Sequence, residues 1–261
     1  MAMDVLILIP ARFSSSRFPG KPLATIAGKS MIERVYSNAS SAFETAVVTD
    51  HDEIAKHVLA FGGKVVRIDD EVESGSDRIY LAYKRFYSKS KQKVSLIINV
   101  QGDEPLLTGS ELKRLAEFHL SSSSVSFDIT TIVKARSGHD SYEDFQNPNI
   151  VKAVLSPESS RCHYFSRSPL PYQAQAENEE FSWYQHIGVY SYRPQALQQF
   201  LQAKPSRNQQ KEKLEQLKAL DIGLTFGAIT TTLDLQSVDR PSDIAKVEAI
   251  LACKSKEQER L

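Results

Sequence analysis

Two polar segments, each closing an apolar run, hold the side chains best able to do chemistry. The first, Pro10 to Pro22, reads Pro-Ala-Arg-Phe-Ser-Ser-Ser-Arg-Phe-Pro-Gly-Lys-Pro and gathers Arg12, Arg17, Lys21 and three serine hydroxyls into one loop. A triphosphate carries about four negative charges, so it is held by several cations and backbone N–H donors acting together. Arg12 and Arg17 can fork onto phosphate oxygens, while Lys21 supplies a compact point charge. The second segment, Gln101-Gly102-Asp103-Glu104-Pro105, follows the apolar run Val94 to Val100. A carboxylate at a strand end can hold a hydrated Mg²⁺ against phosphates. Asp103 is the candidate, because Gly102 permits a turn that exposes it. Taken singly, the two segments also read as a solvated basic loop and an ordinary strand-ending turn.

The elements around these segments alternate. Val5 to Ile9, Thr45 to Thr49, Lys64 to Ile68 and Val94 to Val100 read as strands buried on both faces. Between them, Ser30 and Glu33 have capping-box spacing ahead of a helix whose face is Met31, Ile32, Val35, Tyr36 and Ala39. Asp50 and Glu53 can cap a second helix, near Asp52 to Phe61, and Ser76 a third running to about Tyr87. Strand–helix alternation implies βαβ units, hence an α/β fold with a doubly wound, mostly parallel sheet flanked by helices. Ligands in such sheets bind beyond the carboxyl ends of the strands, where both polar segments fall. Later strands are expected at Asp128 to Lys134, Ile150 to Leu155 and His186 to Tyr192. Helices are expected at Gln195 to Ala203, Glu212 to Leu220 and Asp243 to Cys253. Ser121 to Ser124 and Pro169 to Glu180 read as loops, and Lys254 to Leu261 as a frayed tail. No long linker or repeat interrupts the chain, so residues 1–261 read as a single domain with a smaller embellishment.

Composition excludes several classes. Lys plus Arg and Asp plus Glu each number 32, so no global field favours nucleic acid or a membrane surface. No apolar stretch approaches a membrane span, and the first residues lack a basic n-region, as expected of a cytoplasmic protein. Cys162 and Cys253 form no Cys-x-x-Cys pair. Gly28-Lys29-Ser30 ends like a Walker A loop, but Leu23 stands where its leading glycine belongs. No Gly-x-Gly-x-x-Gly follows a strand, which argues against a nicotinamide dehydrogenase.

Together the two segments resemble the 3-deoxy-manno-octulosonate cytidylyltransferases. The resemblance continues in order through Ala46 to Asp50, Ser74-Gly75 with Arg78, Asn147-Pro148-Asn149, Tyr164 to Arg167, His186 to Tyr190, Lys213 to Leu217, and Val238-Asp239. It implies transfer of CMP from CTP to an eight-carbon 3-deoxy sugar acid with release of pyrophosphate, in a homodimer that serves lipopolysaccharide assembly. It implies that Arg12, Arg17 and Lys21, with Ser15 and the backbone near Ala11, grip the nucleotide, and that Arg78 lies toward the cytosine end. It also implies that Asp103 and Asp239 are metal ligands, Lys21 being catalytic beside them. Gln101, Arg167, His186, Tyr190, Glu215 and Gln216 match positions around the sugar. Read without the resemblance, Asp239 is a helix-start acid, His186 a structural histidine, and Glu215 and Gln216 a solvated helix face.

Three departures from the family pattern bear on the sugar. Glu71-Val72-Glu73-Ser74-Gly75-Ser76-Asp77-Arg78 lacks the family's usual histidine and threonine, Arg207-Asn208-Gln209 replaces Pro-Leu-Glu, and Arg240 replaces a common threonine. An 8-amino-3,8-dideoxy sugar acid is therefore a second candidate substrate, its ammonium meeting Glu71 or Glu73. The residues must also be weighed against a sialic-acid-type cytidylyltransferase, a metal-dependent glycosyltransferase, and a catalytically silent nucleotide-binding module. The Gln-Gly-Asp-Glu-Pro and Leu-Glu-Gln-Leu segments favour the octulosonate branch. Gly102-Asp103-Glu104 lacks the glycosyltransferase Asp-x-Asp spacing, and retention of both Asp103 and Asp239 argues against silence.

Overall fold

Seven buried residues, Val5–Ala11, form β1, and the order of strands around it creates the site. The computed structural model describes residues 4–14, 17–89, 93–121, 126–137, 142–172 and 181–258. Ser15, Ser122 to Ser124 and residues 173–180 of the two expected loops lie outside the described residues. The chain divides into two units, Met1–Lys113 with Leu233–Leu261, and Arg114–Thr232.

In the first unit β1 is followed by a short hairpin, β2 (Thr25–Ile26) and β3 (Lys29–Ser30), then α1 (Met31–Ser40), β4 (Glu44–Thr49), α2 (Asp52–Ala60), β5 (Val65–Arg67), α3 (Gly75–Ala82) and β6 (Leu96–Val100); α4 (Gly109–Leu120) starts in this unit and ends in the second. The four long strands run parallel in the order β5-β4-β1-β6. The chain winds outward from β1 through β4 to β5, then crosses back to lay β6 on the other side of β1. That reversal opens a crevice beyond the carboxyl ends of β1 and β6, which is where the two polar segments emerge.

Local chemistry sets the helix starts. Ser30 accepts from the Glu33 N–H at 3.2 Å, as its spacing predicts. Asp50 does not cap α2; His51 occupies that place without a side-chain cap, and Asp50 instead pairs with Arg78. The cap of α3 is Ser74 rather than Ser76, with Asp77 closing a reciprocal capping box, and the helix gives way to a π-turn at Tyr83–Tyr87.

The β2–β3 hairpin turns through Ala27 (φ 43°) and Gly28 (φ 80°), two consecutive left-handed residues. Alanine is unfavourable there. Glu248 accepts the Ala27 N–H at 2.8 Å and Arg34 donates to the carbonyls of Ile26 and Ala27, which holds the turn in place. Ala27→Asn keeps these backbone bonds and suits the turn, so it is expected to stabilise the fold by about 1 kcal/mol in urea denaturation.

The second unit holds β7 (Ile129–Ser137), α5 (Tyr142–Gln146), β8 (Lys152–Ser156), β9 (Arg161–Ser166), β10 (Ser182–Tyr192), α6 (Pro194–Gln202), α7 (Arg207–Glu212), α8 (Gln216–Asp221) and β11 (Phe226–Thr231). Its strand order is β10-β7-β11-β9-β8. Among the described residues of this unit only β7 and β11 pair in parallel, so the mostly parallel expectation holds in the first unit and not here. The expected helix Glu212 to Leu220 is two helices, broken at Lys213, which takes φ 56°. The chain then returns to the first unit with α9 (Asp243–Gln258). Among the described residues no helix is long and apolar enough to cross a membrane.

His119 is buried in the second unit. Its Nε2–H donates to the Phe127 carbonyl (3.1 Å), and its Nδ1 accepts from the Ser191 hydroxyl (2.9 Å). Burial first, then the Arg193 charge, lowers its pKa to about 4. The unfolded chain therefore takes up the proton first as pH falls. The His119 contribution is full above about pH 6.5 and is lost toward pH 4, by up to about 3 kcal/mol. Urea denaturation across this range is expected to show that slope, and His119→Gln to flatten it; an unchanged slope would exclude His119 as its source.

Candidate active site

The crevice beyond β1 and β6 is a polar cavity of about 360 Å³, walled by Ala11, Arg12, Arg17, Lys21, Gln101 and Asp103, with Gly75 from the start of α3. Lys21 lies at its centre of charge. Its Nζ donates to Asp103 Oδ2 at 2.7 Å and stands 3.9 Å from Asp239 Oδ1. Arg17 donates to the same Asp239 oxygen at 3.0 Å. Residues separated by more than a hundred positions thus meet at one ammonium.

The backbone explains the meeting. Val238 N–H donates to the Asp103 carbonyl at 3.0 Å, which carries Asp239 alongside the β6 turn. Asp243 then accepts from the N–H groups of Asp239 and Arg240 at 3.1 and 2.9 Å, fixing the strand-to-helix corner ahead of α9. Glu104 points into protein, and burial first, then the charges of Asp103 and Asp239, raises its pKa to about 8. It is therefore protonated at neutral pH, leaving two carboxylate charges facing Lys21.

Arg78 does not line this cavity. It is buried, donating to Asp50 Oδ2 (2.7 Å) and to the Ile68 carbonyl (2.6 Å), so it ties the ends of β4 and β5 together beside the crevice. Ser15 lies outside the described residues. Gln101 closes β6 and donates to Asn99 at 3.4 Å.

Residues 6–226 match the family model described as Cytidylyltransferase. The chain is 40% identical over 259 residues to the 3-deoxy-manno-octulosonate cytidylyltransferase of Bartonella bacilliformis, covering 97% of this chain and 100% of that protein. It is 38% identical over 253 residues to the protein of that name from Cytophaga hutchinsonii, covering 94% and 96%. A solved CMP:2-keto-3-deoxy-manno-octonic acid synthetase complexed with CTP superposes with a TM-score of 0.84 at 33% identity, covering 96% of this chain and 99% of that one.

The chain belongs to the 3-deoxy-manno-octulosonate cytidylyltransferase family.

The remaining positions that resemble this cytidylyltransferase family's sugar site lie in the second unit. A bulge in β10 between Ile187 and Tyr190 breaks the register with β7. Thr131 bridges it, donating its hydroxyl to the Val189 carbonyl (2.7 Å) and meeting His186 Nε2 at 3.1 Å. With that proton given to Val189, the Thr131 oxygen accepts from Nε2–H, and Nδ1 is left as the acceptor of the His186 ring. Burial lowers the His186 pKa to about 3, so the ring is neutral. Tyr190 lies 5.4 Å away between ring centroids, its phenol raised well above the usual range by burial first and the Glu215 charge second. Glu215 and Gln216 begin α8, and Gln216 is buried rather than on a solvated face.

The Arg167 side chain is held by main-chain carbonyls. Its Nε donates to the Glu212 carbonyl (2.8 Å), one terminal nitrogen to the Pro148 carbonyl (2.9 Å), and the other reaches the Lys213 carbonyl (3.5 Å). The guanidinium thereby caps the last turn of α7 and accounts for the break at Lys213. Below it sits a residue that sequence reasoning passed over. Lys152, fully buried, donates to the carbonyls of Asn147 (3.0 Å), Ile150 (2.7 Å) and Arg167 (2.7 Å). Its signal was a lysine at an inward strand position just after the Asn-Pro-Asn turn.

Proposed function

We propose that this chain transfers CMP from CTP to 3-deoxy-manno-octulosonate, releasing pyrophosphate and supplying the CMP-sugar for lipopolysaccharide assembly. The observation that carries the reading is the convergence of Arg17, Lys21, Asp103 and Asp239 at the crevice of a chain that belongs to this family. Arg12, Arg17, Lys21 and the Ala11 backbone receive the triphosphate and neutralise it. The anomeric hydroxyl of the sugar attacks the α-phosphorus in line, its new P–O bond replacing the bond to the pyrophosphate leaving group. Positioning and charge neutralisation carry the catalysis, with no covalent enzyme intermediate.

The donor set fits Mg²⁺. That ion takes one or two protein carboxylates and completes its shell with phosphate oxygens and water, and Asp103 with Asp239 supplies that number. Mg²⁺ held there would neutralise phosphate charge and acidify the attacking hydroxyl. The protein is read as cytoplasmic and homodimeric, to be checked by light scattering.

Pyrophosphate release from CTP, Mg²⁺ and a panel of sugar acids tests the reading. 3-Deoxy-manno-octulosonate is expected to give the CMP-sugar with matching pyrophosphate. No release with any sugar acid would reject it, leaving the silent nucleotide-binding module. Glu71 and Glu73, the groups offered for an 8-amino sugar, are solvent-exposed, and the relatives above are named for the plain octulosonate. Competition between the two sugars at limiting enzyme is expected to favour the hydroxyl sugar in kcat/KM; the reverse preference would establish the amino sugar as the substrate.

A further inference from the structure

The nucleotide loop rests on a platform that the phosphate chemistry does not explain. Phe13, second residue after β1, stacks face to face on His51, with ring centroids 4.1 Å apart and planes within 12°. The stack follows from register. Ala11 pairs with Thr49 at the ends of adjacent strands, so Arg12-Phe13 and Asp50-His51 leave the sheet side by side.

The His51 side of the stack is rigid. Its N–H donates to Thr49 Oγ1 at 3.1 Å, its neighbour Asp50 is held by buried Arg78 at 2.7 Å, and its carbonyl accepts from Ala55 in the first turn of α2. The Phe13 side controls both ends of the loop. The Phe13 carbonyl accepts the Gly20 N–H at 3.0 Å, and the Phe13 ring lies against Gly20, 3.6 Å from where a Cβ would sit. Arg12 immediately precedes Phe13 and Lys21 immediately follows Gly20. One ring contact thus sets the entry of the loop, its closure and the cations at both ends.

We infer that His51 is a positioning residue for CTP: its ring face is the seat on which the phosphate-gripping loop is preorganised. The inference rests on the reading of that loop as the triphosphate site. His51 is not among the residues that line the cavity; it acts through Phe13. Without the seat, the loop must be ordered by the nucleotide itself, and the loss falls on CTP affinity rather than on the chemical step once CTP is bound. What matters in His51 is a flat ring, not its nitrogen chemistry.

Steady-state kinetics and CTP calorimetry on His51→Ala, His51→Phe, His51→Gln and Phe13→Ala test this. An aromatic pair is worth about 0.5–1.5 kcal/mol, so His51→Ala is expected to raise KM and Kd for CTP roughly three- to tenfold with kcat within about twofold. His51→Phe should restore both, while His51→Gln, which keeps hydrogen-bonding groups but no ring, should not. The double variant His51→Ala/Phe13→Ala should bind CTP no worse than the weaker single variant, since both remove one contact. An unchanged Kd in His51→Ala, failure of His51→Phe to rescue, or additive losses would overturn the inference. If His51→Ala cannot be purified folded, Phe13→Leu, which keeps bulk without the ring, carries the same expectation. Failure of the functional reading itself is separable: wild-type protein would then neither bind CTP nor release pyrophosphate.

Discussion

Asp239→Asn is expected to lower kcat by about 10²–10³-fold while the Kd for CTP changes by less than about threefold. The amide is isosteric, so Arg17 can still donate to its oxygen and the corner ahead of α9 keeps its shape. What is removed is one unit of negative charge at the point shared with Asp103 and Lys21. A group that acts on charge developing in the transition state is typically worth about 2.7–4 kcal/mol, hence the factor. CTP affinity should survive because the proposed triphosphate grip, Arg12, Arg17 and Lys21, keeps its charges in the variant. Asp103→Asn should behave alike. The double variant should fall well short of the product of the two losses, because both carboxylates serve one function. Single-turnover rates beside calorimetric CTP titrations decide the matter. Near-normal turnover in Asp239→Asn would remove both the metal role and the catalytic assignment of Lys21's partners.

Much of the first unit was legible because its determinants are local. Continuous apolar runs such as Val5 to Ile9 announce strands buried on both faces, and Ser30 with Glu33 marks a helix start by side-chain chemistry within one turn. Where two local signals compete, the reading slips. Ser74 and Ser76 both fall at the start of the same helix, and the reciprocal bond from Asp77 selects Ser74. The second unit resisted because its strands are half polar and its pairings are long-range. β11 contains Gly227, which looks like a strand breaker; it is required because a Cβ there would lie 2.4 Å from the Phe127 ring. The break between α7 and α8 depends on Arg167, some forty-five positions earlier in the chain, taking the carbonyls at the end of α7. For the site, the cationic loop and Asp103 could be read from residue types. Asp239 entered only through resemblance, because its approach depends on a backbone bond from Val238 to Asp103 that no side-chain pattern encodes.

Lys152→Met is expected to destabilise the fold by about 2–6 kcal/mol, through carbonyls rather than through lost charge. Methionine nearly matches lysine in length and suits a buried position, so the cavity left behind is small. The ammonium, however, satisfies three main-chain oxygens inside the second unit. The Asn147 carbonyl keeps the Ile150 N–H at 3.1 Å, so the loss falls on the carbonyls of Ile150 and Arg167. A buried carbonyl deprived of its donor costs about 1–3 kcal/mol, and two of them give the range stated. Burial first, then the neighbouring Arg167 charge, lowers the Lys152 pKa, so the native state already bears a penalty for holding this cation. That the ammonium is kept there indicates that its three bonds outweigh the penalty. The effect should also propagate. Arg167 is anchored by Lys152 through its carbonyl and by Glu212 through its N–H, and its guanidinium shapes the break that precedes Glu215 and Gln216. Lys152→Met should therefore raise KM for the sugar acid several-fold while leaving KM for CTP within about twofold, because the CTP loop and its cations belong to the other unit. Urea denaturation and two-substrate kinetics give both readouts. A variant with wild-type stability would mean that other donors replace the ammonium, and a rise confined to CTP would contradict the proposed assignment of the sugar to residues of the second unit.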